Sequence, residues 1–342
     1  MCVIQKIDVA NILNQYRCYQ IIKSIKILEY YHEKSSISLI LKTKTNSHKE
    51  YIIKLIHTRY SNIEEEEKRC EFSEFLRLHD MPVPKKYKST NGTYCIKKIF
   101  NNICYCISVE EYFGEDVKTI NYYSTYMLGR LLGKMHFLSE KYNYTLKFGP
   151  TYTALNLGKT KYRNIWKKEY DEVFKNKNDI YKLEKLHNQK INELKKIWSN
   201  LPMSAVHADL GLISNFMYKN SYGIIDFNLA GNEVLLGDLL ITWYSSRYTI
   251  FFINNVELKK TNILKEIFLK GYFYSRRLTR IEEKYLKKTS CILNGIYFNI
   301  FVADLVKQGY KDIAQKLVDK IYEQYFLDDT QIDLRKELID NG

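Results

Sequence analysis

The sequence predicts an α+β chain of two lobes. A small N-terminal antiparallel sheet with one helix covers residues 1–112, and a larger, mainly helical lobe covers 113–342. Three observations lead there. Two stretches, 37–57 and 93–113, alternate apolar and polar residues and are each broken by a short polar turn, as β-hairpins are. Beyond residue 122 the apolar residues recur at helical spacing, as in helices that bury one face. The length of 342 residues suffices for a sizeable core in two lobes rather than two independent domains.

The elements follow in order. ISLILKTKT and EYIIKLIH flank a polar turn at Asn46-Ser47-His48-Lys49, and Lys54 lies inside the second strand between Ile53 and Leu55. An ammonium buried there needs a counter-charge or a phosphate, because an unpaired buried charge is costly. IEEEEKRCEFSEFLRLHD predicts a helix with Phe72, Phe75 and Leu76 as apolar positions, stopped by Met81-Pro82-Val83-Pro84. TYCIKKIF and CYCISVEEYF predict two more strands joined by Asn101-Asn102, with Gly114 releasing the chain from the second. YMLGRLLGKMHFLSEKY places Leu128, Leu131, Leu132, Met135 and Leu138 on one helix face. Residues 151–200, including YRNIWKKEYDEVF, read as helical and Lys-rich. No internal repeat, Pro-rich linker or low-complexity tract interrupts the chain, which has only 4 Pro.

Composition narrows the function classes. Hydrophobic residues make up 45% and charged residues 27%, ordinary for a globular protein. No apolar run reaches the ~18 residues of a membrane span, and the N-terminus shows no apolar core or cleavage site of a signal peptide. Cytoplasm is therefore the expected location. The seven cysteines show no metal-ligand spacing and are expected to be reduced thiols; Cys104 and Cys106 alternate on a strand and share a face. The net charge of +14 raises nucleic-acid binding as an alternative. However, the 14 Lys and Arg against 6 Asp and Glu in 141–200 concentrate the excess on one helical segment, whereas 307–342 has 6 against 8. Basic residues spread along a helix form a solvated face more often than a phosphate-binding stripe, and nucleic acid is not the expected partner.

The chemistry-bearing stretch is HADLGLISNFMYKNSYGIIDF, from His207 to Phe227. It holds an H-x-D tripeptide, Asn215, and a short apolar strand ending in Asp226-Phe227. Phosphoryl transfer needs few groups: one carboxylate to take or orient the proton of the attacking hydroxyl, and an Asn and a second carboxylate to hold Mg²⁺. Asp209, Asn215 and Asp226 supply this set. The stretch resembles the catalytic loop and metal-binding strand of the aminoglycoside phosphotransferase and choline kinase superfamily, whose fold is protein-kinase-like. Members read H-G-D-L-x-x-x-N, then I-D-F or I-D-W, then A-G, then D-L opening a helix. Here Ala230-Gly231 and Asp238-Leu239 follow Asp226 with that spacing. LGRLLGKMH, with His136 as a packing residue near the loop, and FLKGY at 268–272 also match the superfamily, so the resemblance runs from about 37 to 300.

The resemblance implies an ATP- (or GTP-) and Mg²⁺-dependent kinase acting on the hydroxyl of a small-molecule acceptor. Asp209 would be the base and His207 the loop support, with Asn215 and Asp226 as metal ligands. Lys54 would contact the nucleotide phosphates and pair with a Glu of the following helix. The register selects Glu71, with Glu67 and Glu74 as alternatives. Glu111-Tyr112-Phe113 would be the hinge that reads the adenine edge, and Asp238 an N-cap that braces the catalytic loop. Two departures stand out. Asn215 is six residues after Asp209 where the superfamily has five, so the loop bulges around Leu212–Ile213 or Ser214 shares the Asn role. The segment EYYHEKSSISL, at the position of the phosphate loop, contains no Gly, leaving Ser35 and Ser36 as hydroxyl donors. These departures keep a catalytically weak, nucleotide-binding pseudokinase as the alternative. The acceptor classes the resemblance implies are an antibiotic, an amino alcohol and a sugar.

Overall fold

A computed structural model describes the chain apart from residues 1–5, 19–20, 34–35, 59–61, 118–119, 151–152, 154, 156–176, 213–214, 254–257, 319 and 327–342. The strands are β1 (Ile22–Glu33), β2 (Ser36–Thr45), β3 (Glu50–His57), β4 (Cys95–Phe100), β5 (Ile103–Glu111), β6 (Glu115–Asp116), β7 (Met203–Val206), β8 (Phe216–Tyr218), β9 (Tyr222–Ile224) and β10 (Gly231–Val234). The helices are α1 (Lys6–Gln15), α2 (Ile63–Leu78), α3 (Tyr122–Lys141), α4 (Lys177–Trp198), α5 (Leu235–Ile253), α6 (Leu258–Ser275), α7 (Arg280–Lys307), α8 (Lys311–Val318) and α9 (Ile321–Gln324). The chain divides into two compact units, Met1–Val117 with Asn215–Asn228, and Lys118–Ser214 with Leu229–Gly342.

The first unit is built on an antiparallel sheet of order β1-β2-β3-β5-β4. The β4–β5 hairpin closes through Asn101 and Asn102 at φ 48° and 63°. Both central residues of a tight primed turn need this left-handed backbone, and Asn tolerates it better than most side chains. One sheet face carries Leu39, Leu41, Ile53, Leu55, Ile107 and Val109, which pack with Val9, Ile12 and Leu13 of α1. Tyr16, just past α1, donates its hydroxyl proton within reach of two carbonyls, at 2.6 Å from Ile107 and 3.0 Å from Tyr94. Because side chains alternate along a strand, Lys54 and Glu110 face the other side. Neither α1 nor β1 was expected. Residues 29–33, assigned in sequence to the phosphate loop, belong to β1, whose Glu33 pairs with Ser36. Ser35 lies outside the described residues, and Ser36 is the first residue of β2.

A second, three-stranded sheet of order β6-β8-β9 also belongs to the first unit. It fixes the segment after β5 against the hairpin that carries Asn215 and Asp226. A Cβ on Gly114 would press on the Tyr218 carbonyl, and one on Gly223 would overlap the Phe113 ring and the Pro82 carbonyl. Gly114 thus serves close backbone approach to β8.

The second unit is mainly helical, with one small antiparallel pair, β7–β10. α5 is deeply buried along its first half: Leu235, Leu236, Leu239 and Tyr244 have no measurable exposure. α7 is long and apolar enough to cross a membrane, with mean hydropathy 1.4 over its apolar window, but 78% of that window is buried inside the protein, as in a core helix. α4 covers the end of the Lys-rich segment; the sequence YRNIWKKEYDEVF lies outside the described residues.

The LGRLLGKMH match has a packing reason. Gly129 and Gly133 on α3 lie against the backbone of α6, where a Cβ would overlap the carbonyl oxygens of Phe268 and Tyr272; Gly271 on α6 likewise abuts the Tyr126 carbonyl. Glycines on both helices let the two backbones touch. Gly133→Ala is therefore expected to destabilise the protein by about 1–3 kcal/mol, the usual cost of overpacking a tight contact. The check is a thermal melt, in which an Ala control at an exposed position of the same helix, Lys141→Ala, leaves Tm nearly unchanged.

Candidate functional site

The groups singled out in sequence fall into two sets, one in each unit. In the first unit, β3 presents Lys54 on the sheet face opposite α1. Its ammonium lies 2.8 Å from Asp226 Oδ1 and 3.5 Å from Glu110 Oε1. The other Glu110 oxygen accepts from Lys86 Nζ. Lys54, Glu110 and Lys86 side chains are 4–5% exposed, whereas Asp226 is 25% exposed. Burial pulls the Lys54 pKa down, but the Asp226 and Glu110 carboxylates reverse this and hold it above the ordinary lysine value. Burial likewise pushes Glu110 up, and Lys54 and Lys86 outweigh it, leaving the carboxyl below its ordinary value. The cluster is two ammonium groups interleaved with two carboxylates.

Glu71, expected to pair with Lys54, does not. It pairs with Lys68 one helical turn away at 2.6 Å and is half exposed. The two alternatives are occupied as well. Glu67 accepts from the amides of Tyr94 and Cys95 at 2.8 and 2.7 Å. Glu74 binds Arg77 and accepts from the Lys86 amide. The helix spacing gave the position of a Glu along α2 but not the side of α2 that meets the sheet.

Asn215 and Asp226 begin and follow the β8–β9 hairpin, and the Ile225 N–H donates to the Asn215 carbonyl at 3.0 Å. Both have left-handed backbone, φ 59° and 62°, a conformation that costs a non-glycine residue about 1–2 kcal/mol and tends to be kept where function needs it. An amide oxygen and a carboxylate are hard donors that suit Mg²⁺, which takes one or two protein oxygens and fills its shell from waters and phosphates. Ser214, the alternative, lies outside the described residues. In the segment expected to be the hinge, the amides of Glu111 and Tyr112 donate to the carbonyls of Lys85 and Glu50. Among the described residues no backbone acceptor is seen for the Phe113 N–H. Lys42 Nζ caps the Tyr112 ring at 3.2 Å from its centroid.

The second unit holds His207 and Asp209. His207 is fully buried, and its Nδ1 accepts from the Asp209 N–H at 3.3 Å. The Asp209 side chain is on the exposed part of the loop, which Leu210 and Leu212 anchor in the core. Ala208 stands at φ 67°, where the superfamily pattern has Gly. Its N–H donates to Asp238 Oδ1 at 3.1 Å, and Asp238 Oδ2 meets His136 Nε2 at 2.9 Å. Asp238 braces the loop, but from the first turn inside α5 rather than as an N-cap. His136 Nδ1 meets the Tyr272 hydroxyl at 2.9 Å, Tyr272 accepts from Arg276, and Arg276 binds Glu140 and Glu282. The helix contact made by Gly129, Gly133 and Gly271 is what brings Tyr272 within reach of His136.

No family model matches the sequence, and no curated protein matches it. Solved structures do. An amicoumacin kinase in complex with AMP-PNP, Ca²⁺ and Ami is 18% identical, with a TM-score of 0.67 and 98% of each chain covered. A microcompartment-associated aminopropanol kinase is 14% identical with a TM-score of 0.63, over 94% of this chain and 100% of the other. The choline kinase LicA from Streptococcus pneumoniae is 14% identical with a TM-score of 0.52, over 93% and 98%. The chain thus has the α+β, protein-kinase-like fold of the aminoglycoside phosphotransferase and choline kinase group, as its motifs anticipated.

Asp238 holds the Ala208 amide and the Nε2 of His136, whose other ring nitrogen stays with Tyr272. Asp238→Ala should therefore cost about 1–3 kcal/mol for the groups it orphans. It should also raise amide hydrogen exchange at Ala208 and Asp209 more than in β7, as followed by mass spectrometry.

Proposed function

We propose that the chain is a phosphotransferase that uses ATP, or GTP, with Mg²⁺ to phosphorylate a hydroxyl group of a small molecule. The observation that carries this reading is the 2.8 Å ion pair between the buried Lys54 and the partly exposed Asp226, in a chain whose Asp209, Asn215 and Asp226 follow one another in kinase order. A water-poor ammonium beside a half-exposed carboxylate offers a fixed cation to phosphate oxygens and a fixed anion to a divalent ion. The fold supports the same reading, because the amicoumacin, aminopropanol and choline kinases share it.

Each residue then has a task. Lys54 binds the nucleotide phosphates, the Phe113 amide meets the base edge, and Glu111 and Tyr112 shape the hinge around it. Asp226 and Asn215 hold the metal, which when bound neutralises charge on the phosphates. Asp209 orients the acceptor hydroxyl and takes its proton as the oxygen forms a bond to the terminal phosphorus and the bond to the nucleoside diphosphate breaks. His207 fixes the Asp209 backbone. An antibiotic, an amino alcohol and a sugar are the acceptor classes to try first. The missing Gly between residues 29 and 39 favours a second reading, a nucleotide-binding protein with weak turnover; Mg·ATP binding without ADP release over a broad hydroxyl library would select it.

The function is tested by thermal shift with ATP and GTP, each with and without Mg²⁺, followed by ADP release over hydroxyl compounds. A ligand that binds the native state raises apparent stability by mass action, so the first step needs no acceptor. Asp209→Asn is expected to bind nucleotide like the wild type and to turn over at least ~10²-fold more slowly, the low end for a general base. Turnover within a few-fold of wild type removes Asp209 from the mechanism.

Asp226→Ala is expected to abolish the Mg²⁺-dependent part of the ATP shift, because the carboxylate is the only anion in the proposed ligand pair, and Asn215→Ala to reduce it less. A Mg²⁺ response unchanged in Asp226→Ala counts against the metal assignment.

A further inference from the structure

Lys54 is the cation this chain offers to a nucleotide, and α2 supplies none of the carboxylates that hold it. Glu67, Glu71 and Glu74 are engaged by Tyr94 and Cys95, by Lys68, and by Arg77 respectively. The second carboxylate on Lys54 comes from β5. In the register of the sheet Lys54 is opposite Ser108 and Ile52 opposite Glu110, so Lys54 and Glu110 are diagonal neighbours on one face of adjacent strands. Lys86, joined to Glu110 by a β-bridge, takes the other carboxylate oxygen. These three side chains are within the sheet and shielded from water; Asp226 is the exposed member of the four.

That asymmetry assigns the carboxylates different work. A divalent ion draws on Asp226, the open one, and a carboxylate shared with a dication is a weaker partner for an ammonium. Glu110 is then the counter-charge that stays with Lys54 while it engages phosphate. We propose that Glu110 is the positioning residue for Lys54, doing from strand β5 what the resemblance assigns to a Glu of α2, with Lys86 fixing the carboxylate from its other side. The proposal rests on the phosphotransferase reading for the role of Lys54. Its consequence is that the phosphate-binding lysine is set by hydrogen-bonded strands and does not wait on the placement of α2.

The experiment is Mg·ATP affinity by calorimetry, with apo melting curves, for Glu110→Gln, Glu71→Gln, Lys54→Met and the double variant Lys54→Met/Glu110→Gln. The charge-balanced double Lys86→Met/Glu110→Gln, which leaves no lysine orphaned by the change at 110, covers the case in which Glu110→Gln folds poorly. Glu110→Gln and the charge-balanced double are expected to weaken Mg·ATP binding at least about tenfold, as loss of one member of a buried charge pair does. Glu71→Gln is expected to change it by less than about twofold, as for an exposed pair. In the Lys54→Met background, Glu110→Gln should add nothing, an outcome that a purely structural role for Glu110 does not produce. Wild-type affinity in both Glu110 variants, an equal loss in Glu71→Gln, or additive losses with Lys54→Met overturns the proposal alone. A wild-type protein that binds no nucleotide overturns it together with the phosphotransferase reading.

Discussion

Burying an ammonium is among the more expensive things a small sheet can do, and the first unit is arranged around having done it. Lys54 sits in the middle of the central strand β3, and two elements neutralise it: β5 through Glu110 and the β8–β9 hairpin through Asp226, while Lys86, from the segment before β4, holds the other Glu110 oxygen. Removing one member of a buried pair costs about 3–5 kcal/mol, because the survivor keeps its desolvation penalty and loses its partner. The hairpin is thereby held to the sheet by charge as well as by the small-residue contacts of Gly114 and Gly223. The backbone after β5, the lysine and the Asn215–Asp226 pair inherit their positions from this arrangement.

The second unit reaches a comparable precision by a different route. Backbone contact between α3 and α6, possible because Gly129, Gly133 and Gly271 lack side chains, sets Tyr272 beside His136. From there polar contacts run through Asp238 to the amide of Ala208, and in the other direction through Arg276 to Glu140 and Glu282. A loop with left-handed backbone at Ala208 needs such bracing, since the local chain alone would relax it.

Local signals were legible in the sequence, and non-local ones were not. The Asn101-Asn102 hairpin and the α3 apolar face could be read because turn chemistry and periodicity are written within a few residues, although β5 ends at Glu111, two residues before the expected strand end at Phe113. The spacing from His207 to Leu239 identified the fold, since it is the imprint of one continuous loop, hairpin and helix. The partner of Lys54 was misread, because Glu71 is at the right place along α2 but on the wrong side, and helical spacing does not specify which side meets a sheet. Glu110 and Lys86 went unnoticed as ordinary charges beside a hinge and after a Pro turn; a charged residue flanked by the apolar Val109 in a buried strand was the available signal. Most of β1 had no assignment and its end at 29–33 resembled a phosphate loop, although IKSIKILE carries strand-like Ile residues.

The hairpin Asn215–Asn228 belongs to the first unit although nearly a hundred residues of the second unit precede it in the chain. This makes the order of synthesis matter. As the chain emerges, the five-stranded sheet can form once Glu111 is made, but Lys54 then has Glu110 without Asp226, and Phe113 and Gly114 have no strands to pack on. The first unit is completed only by a contact of very high sequence separation, the kind that pays its loop-closure entropy late and slows folding. A nascent or truncated chain ending before Asn215 therefore carries a sheet with a shielded cation that lacks one of its two carboxylates, and a Glu115–Asp116 segment with no strand to pair with. Such a species is a client for chaperones rather than a stable fragment.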